Sequence, residues 1–252
     1  MSRPIARTGP GAAALLELDG FREQIWPEMW CTPIGGDSGE RIVRTRAWQE
    51  PNYHGDVPVA PIGLILRHLN LVPTDLLGRP DGIAPLDRVE LAVEHALRDG
   101  GEIYPTQGGR GSGDIMLHRV LRQRGDQPPT ESYAETRAVQ LFRTWGIVPW
   151  RQIPVRAGRG RNHRADFMIP FKPAVQSRRP EVITSRLGLL VEVDSREFHA
   201  EEFEHDSRRN TAYDQLGYHW VGITPNQIEY QPAAVRTALE GAFRRAGRRP
   251  PF

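Results

Sequence analysis

The segment Gly188-Leu-Leu-Val-Glu-Val-Asp-Ser195 sets two carboxylates into an otherwise apolar run. In a strand, side chains alternate between faces, so Leu189, Val191 and Val193 share one face while Glu192 and Asp194 share the other. Carboxylates projecting together from a buried strand repel and lose hydration, so a divalent cation or an arginine must neutralise them. Asp166, in Arg164-Ala-Asp-Phe-Met-Ile169, lies on the preceding strand-like run and approaches Glu192 if the two strands pair. Three carboxylates of this kind suit Mg²⁺ or Mn²⁺. Such a site activates water for attack on a phosphodiester, so hydrolysis of nucleic acid is the chemistry this pattern predicts.

The residues around these acids each carry two readings. Glu135 stands three after Ser132, so it is either an auxiliary acid or the closing member of a helix capping box. Asp166 could equally form an ordinary ion pair with Arg164 or Arg161. His199 is either an acid toward the leaving oxygen or a plain surface histidine. Asp206 and Arg209, three apart, read as an ion pair that positions a helix. Between Arg151 and Arg179 stand eight basic residues and a single acid, Asp166. Arg151, Arg156, Arg159, Arg161 and Arg164 could grip a phosphate backbone there, or form a solvated arginine-rich loop.

These residues need elements to hold them. Thr130 or Ser132 can cap a helix with Ala134, Ala138, Leu141, Phe142 and Trp145 on one face, closed by Gly146. Trp150–Arg156 and Ala165–Ile169 read as a hairpin, 171–187 as a loop, and Leu189–Val193 as a buried strand. A helix through Ser207–Leu216, a strand over His219–Thr224 and a helix from Pro232 follow. The order helix, three strands, helix, strand, helix predicts a mixed sheet flanked by helices, an α/β domain.

Ahead of it, helices are predicted over 61–71, 87–97 and 114–124, with one strand over Arg41–Trp48, giving a mainly helical N-terminal domain with a short β segment. The stretch Gly125-Asp-Gln-Pro-Pro129 excludes a continuing helix, so the domains are expected to be 1–127 and 128–252.

At 252 residues with 38% hydrophobic and 25% charged residues, the chain has the composition of a globular protein rather than a disordered or fibrous one. Cys31 is alone, which excludes an intrachain disulfide and a thiolate zinc site and fits a reducing cytoplasm. The apolar run Ala12–Leu16 is too short for a signal peptide, and no stretch of 18 apolar residues predicts a membrane span.

From Ser132 to about Leu239 the chain resembles the restriction-endonuclease-like (PD-(D/E)xK) superfamily, whose core motif is Asp followed by Glu-x-Lys on adjacent strands. More closely, it resembles the bacterial domain family related to very-short-patch mismatch-repair endonucleases. The resemblance rests on Ser132-Tyr-Ala-Glu135, Gln152, Arg164-Ala-Asp166-Phe, Val191-Glu-Val-Asp194, His199, Asp206 with Arg209, and Leu216-Gly-Tyr218. It implies Asp166 and Glu192 as metal ligands, Glu135 as an auxiliary acid, Gln152 among the DNA-contacting residues, and DNA as partner, with a homodimer open. Asp194 stands where the superfamily has lysine, and Ser195 where the close family has glycine. Arginine cannot replace that lysine as a proton acceptor; either Asp194 recruits a second metal or Lys172, the one lysine of the chain, serves instead. The expected activity is a metal-dependent DNA endonuclease. The alternative is a nuclease-fold protein without turnover that acts as a DNA-binding or antitoxin-like regulatory module.

Overall fold

In a computed structural model of the chain, the described residues are 5–22, 26, 28–33, 42–45, 50–78, 81–101, 103, 115–157, 161–172, 184–194 and 211–252. They form two compact units, Met1–Pro129 and Thr130–Phe252, so the division falls at the far end of the 125–129 stretch rather than at residue 127.

The first unit is built on a five-stranded sheet in the order β3-β2-β1-β5-β4. Its strands are β1 (Ala6–Thr8), β2 (Met29–Pro33), β3 (Ile42–Thr45), β4 (Asn52–His54) and β5 (Val57–Val59). The sequence-based expectation of a short β segment is corrected here. Strands of three to five residues span too few side chains for a period of two to stand out. The helices are α1 (Gly9–Leu15), α2 (Ile62–His68), α3 (Thr74–Leu77), α4 (Pro85–Arg98) and α5 (Ile115–Arg124), with a 3₁₀ turn over Leu69–Leu71. The three expected helices fall on α2 with its 3₁₀ extension, α4 and α5. Ala6, Phe21, Cys31, Ile65, Leu66 and Val93 belong to its core, and burial pushes the Cys31 thiol up to about 11.

The second unit begins with α6 (Tyr133–Thr144), runs through β6 (Trp150–Ala157), β7 (Arg161–Pro170) and β8 (Gly188–Val193), and continues after a helix described over 211–215 (α7) into β9 (Trp220–Ile223), α8 (Pro225–Tyr230) and α9 (Pro232–Arg245). The sheet order is β6-β7-β8-β9. The β6–β7 and β7–β8 pairs are antiparallel, and β9 lies parallel to β8. A parallel pair needs a crossover, which the chain between β8 and β9 supplies. α8 was not anticipated; a Thr224–Gln227 capping box forms it directly after β9.

Side-chain alternation sorts this sheet into two cores. Phe167, Ile169, Leu189, Val191, Val221 and Ile223 pack with Ala138 and Phe142 of α6 and with Val235, Leu239 and Phe243 of α9. Met168 and Leu190 pack instead with Trp150, Tyr213 and Tyr218. Phe142 meets Phe167 edge to face, with centroids 5.8 Å apart, so truncating such an anchor to alanine costs about 3–5 kcal/mol. Gly146 and Gly217, both at positive φ, end α6 and α7. There the amides of Ile147 and Tyr218 reach back to Phe142 and Tyr213 carbonyls, so the chain reverses tightly into the next strand.

Candidate functional site

The site is assembled by register. Arg151↔Phe167 and Ile153↔Ala165 bracket Gln152 and Asp166 as cross-strand neighbours. Phe167↔Val191 closes the β7–β8 ladder, and one step further sets Asp166 across from Glu192, which is itself paired with Gly222. Gln152, Asp166, Glu192 and Gly222 therefore form one row across the four strands. Where the ladder ends, the Asp166 carboxylate replaces it: Oδ2 accepts the Val193 amide at 2.7 Å.

Glu192 is 1% exposed, and its Oε1 accepts a 2.7 Å hydrogen bond from the Tyr213 hydroxyl of α7. Tyr213 is fully buried, with its ring edge-on to His163 of β7 and to Tyr218. Asp194, 8% exposed, follows β8 and holds its place through its amide, which donates to the Ile223 carbonyl. Its carboxylate lies over β9, where a Cβ on Gly222 would come within 2.9 Å of Oδ2. Glycine is what leaves that carboxylate its space.

Glu135 enters from the first turn of α6. The Ser132 hydroxyl caps this helix by accepting the Glu135 amide and donates to Oε1, each at 3.1 Å. Oε2 accepts from the Glu131 amide at 2.9 Å and from Gln152 Nε2 at 2.8 Å. Glu135 thus completes the helix start and, through Gln152, meets the row that contains Asp166. Burial first, then the neighbouring Asp166 carboxylate, push its carboxyl up to about 7, against the lowering effect of its amide and hydroxyl donors.

Gln152 sits within β6 at φ +52, a left-handed conformation uncommon for a residue other than glycine, and its side chain bonds Glu135 of the helix. Arg151 is 3% and Gln152 8% exposed, so both side chains are buried in this fold rather than displayed on its surface. Arg164 is exposed and pairs with Glu131 rather than with Asp166. Arg156 and Arg161 belong to β6 and β7, but their side chains lie outside the described residues, as do Arg159, His199, Asp206 and Arg209.

The donor set of Asp166, Glu192 and Asp194 is all oxygen and fits a hard divalent cation. Among the described residues, however, no three His, Cys, Asp or Glu side chains stand together as a metal-holding group. Asp166 is directed to the Val193 amide and Glu192 to Tyr213, so a shared ion requires these side chains to turn. Tyr213 and Gly222 are the members that sequence reasoning missed. Tyr213 carried only a weak signal, an aromatic three residues before Leu216 on a helical face.

Compared with known families, curated proteins and solved structures, the chain finds no match in any of the three. The fold and site define an α/β protein whose second unit brings half-buried Asp166 beside buried Glu192 and Asp194. Among the described residues no helix is long and apolar enough to cross a membrane.

Proposed function

We propose that residues 130–252 form a restriction-endonuclease-like domain that hydrolyses phosphodiester bonds in DNA, in the cytoplasm, with Mg²⁺ or Mn²⁺ held by Asp166, Glu192 and Asp194. The observation that carries this reading is the row that sets Asp166 across from Glu192, with Asp194 two residues beyond on the same strand end and Glu135 closing in from α6. Burying carboxylates such as Glu192 and Asp194 costs several kcal/mol per charge unless opposite charge or hydrogen bonds offset it, and a divalent cation is one group that would do so. The order of one helix, three antiparallel strands and a parallel fourth supports the same domain class.

A divalent cation bound there would supply positive charge for water activation and for the leaving oxygen. The chain's own residues hold the acids near one another: Gly222 leaves room for Asp194, while Glu192 would turn from Tyr213 and Asp166 from the Val193 amide to share an ion. Glu135 stands beside these acids from α6, its Oε1 accepting the Ser132 hydroxyl and its Oε2 the Gln152 side-chain amide.

Purified protein with Mn²⁺ should cleave DNA, and Glu192→Ala should lower that cleavage by more than roughly 100-fold. No cleavage by the parent chain, or equal cleavage by the variant, rejects the proposal.

A second reading has its own support: Asp194 stands where the catalytic lysine of the superfamily would be, and Lys172, the only lysine, is exposed just beyond β7. In it, the domain binds DNA and regulates without cutting. Calorimetry separates the two, because a degenerate site binds Mn²⁺ feebly while DNA binding, steeply salt-dependent, persists.

A further inference from the structure

Beside the acidic row, a cleft of about 580 Å³ opens along the outer edge of β9, lined by Asp214, Tyr218, His219, Trp220, Gly222 and Arg245 among others. Its size is that of a small-ligand site. Among the described residues β9 is the last strand of the sheet, and Gly222 forms part of the cleft wall, while the Asp194 carboxylate comes within 2.9 Å of where a Cβ on it would stand. The cleft and the acids are therefore contiguous.

Its chemistry is specific. The Trp220 indole N–H donates to Asp214 Oδ1 at 3.0 Å, which fixes the ring, and the ring lies against Gly222, 3.8 Å from where a Cβ would stand. Trp220 is half-buried, packs on the core with Tyr213 and Tyr218, and lines the cleft, where an aromatic ring can meet another flat ring. On the other wall, Arg245 of α9 is exposed, and no carboxylate among the described residues pairs with it; its neighbour Arg244 reaches Glu240 only at 3.9 Å. Arg248 and Arg249 follow beyond the helix end, the Arg248 guanidinium lying over the Phe171 ring at 5.5 Å. An aromatic ring beside a guanidinium with no ion pair among the described residues, the Asp214 carboxylate being held by the indole N–H, suits a ligand that joins a flat ring to a phosphate.

We propose that this cleft seats one unpaired nucleotide of the substrate strand, its base on Trp220 and its phosphate at Arg245. This rests on the nuclease reading and sharpens it: the substrate presents an unstacked base beside the acids, as in single-stranded, gapped or branched DNA, rather than an intact duplex. Addition of an extended peptide to the β9 edge is the competing use of the same cleft. The ring face and the free arginine favour the nucleotide.

The test measures binding without cleavage, using the full-length Glu192→Gln chain in EDTA. Fluorescence titration with a 15-nucleotide oligo(dT) should quench the indole signal, and binding should be at least roughly tenfold tighter than to a blunt duplex of the same length. In that background, Trp220→Leu should weaken oligo(dT) binding roughly tenfold. Arg245→Ala, an exposed change that leaves the core untouched, should weaken it and reduce the salt slope by about one phosphate contact. Equal affinity for duplex and single strand, or unchanged binding in the Arg245→Ala variant with its circular dichroism intact, overturns the proposal. Binding of hexaglutamate with none of oligo(dT) also overturns it and assigns the edge to peptide. These outcomes are independent of whether the parent chain cuts DNA with Mn²⁺, so failure of the nuclease reading is seen separately.

Discussion

Glu135 has an ordinary carboxylate value when the chain unfolds and is raised to about 7 in the fold, chiefly by burial. The folded state therefore holds its proton more tightly, and the stability of the second unit should be fullest below about pH 4.5 and decline as pH rises toward 7, levelling off above it. The whole effect is roughly 3 kcal/mol. Glutamine at this position keeps an acceptor for the Glu131 amide and Gln152, and a donor for Ser132, while it removes the charge. Glu135→Gln should thus flatten the slope between pH 5 and 8 and raise stability at pH 8 by roughly 2–3 kcal/mol. Urea denaturation at both pH values checks this, and a slope unchanged in the variant would assign the titration to another group.

Each element of the second unit is held at its ends by identifiable contacts. α6 starts on the Ser132 cap and stays beside α8 through Arg137, whose Nε and Nη2 bond the two oxygens of Glu229 at 2.8 and 3.1 Å. Such bidentate pairs are stronger and more directional than single contacts. β8 starts at Gly188, paired with Pro170, where a Cβ would lie 2.5 Å from the Ile169 carbonyl oxygen and 2.6 Å from Met168 Cγ. No side chain fits without displacing backbone. Gly188→Ala should cost about 1–3 kcal/mol and shift the start of the strand that carries Glu192. A thermal melt reads the first, and a melting temperature equal to that of the parent would show that β7 and β8 accommodate the methyl.

Over the whole molecule, each unit has a core of its own. One cluster gathers residues from Ala6 to Val120, and the two others gather residues from Ala138 to Phe243. A core is what allows a domain to fold independently. Residues 130–252 expressed alone should therefore give a single cooperative urea transition and a mixed helix–strand far-UV spectrum. A non-cooperative transition would show that the second unit depends on the first. The same fragment with Mn²⁺ also tests whether the acidic row suffices for metal binding.

What the sequence by itself determined was local. Alternation in 188–194 put Glu192 and Asp194 on one side of a buried strand, Ser132 with Glu135 marked a helix start, and Gly146 and Gly217 marked helix ends. Each signal spans only a few residues, so periodicity and backbone preference express it directly. Only the tertiary structure decided the rest. The first unit's five-stranded sheet joins strands of three to five residues, too short to leave a period. Tyr213 meets Glu192 across 21 positions, Gln152 meets Glu135 across 17, and Gly222 makes room for Asp194 from the next strand. Such contacts follow from how the chain crosses between strands, and side-chain spacing along the sequence does not encode that path.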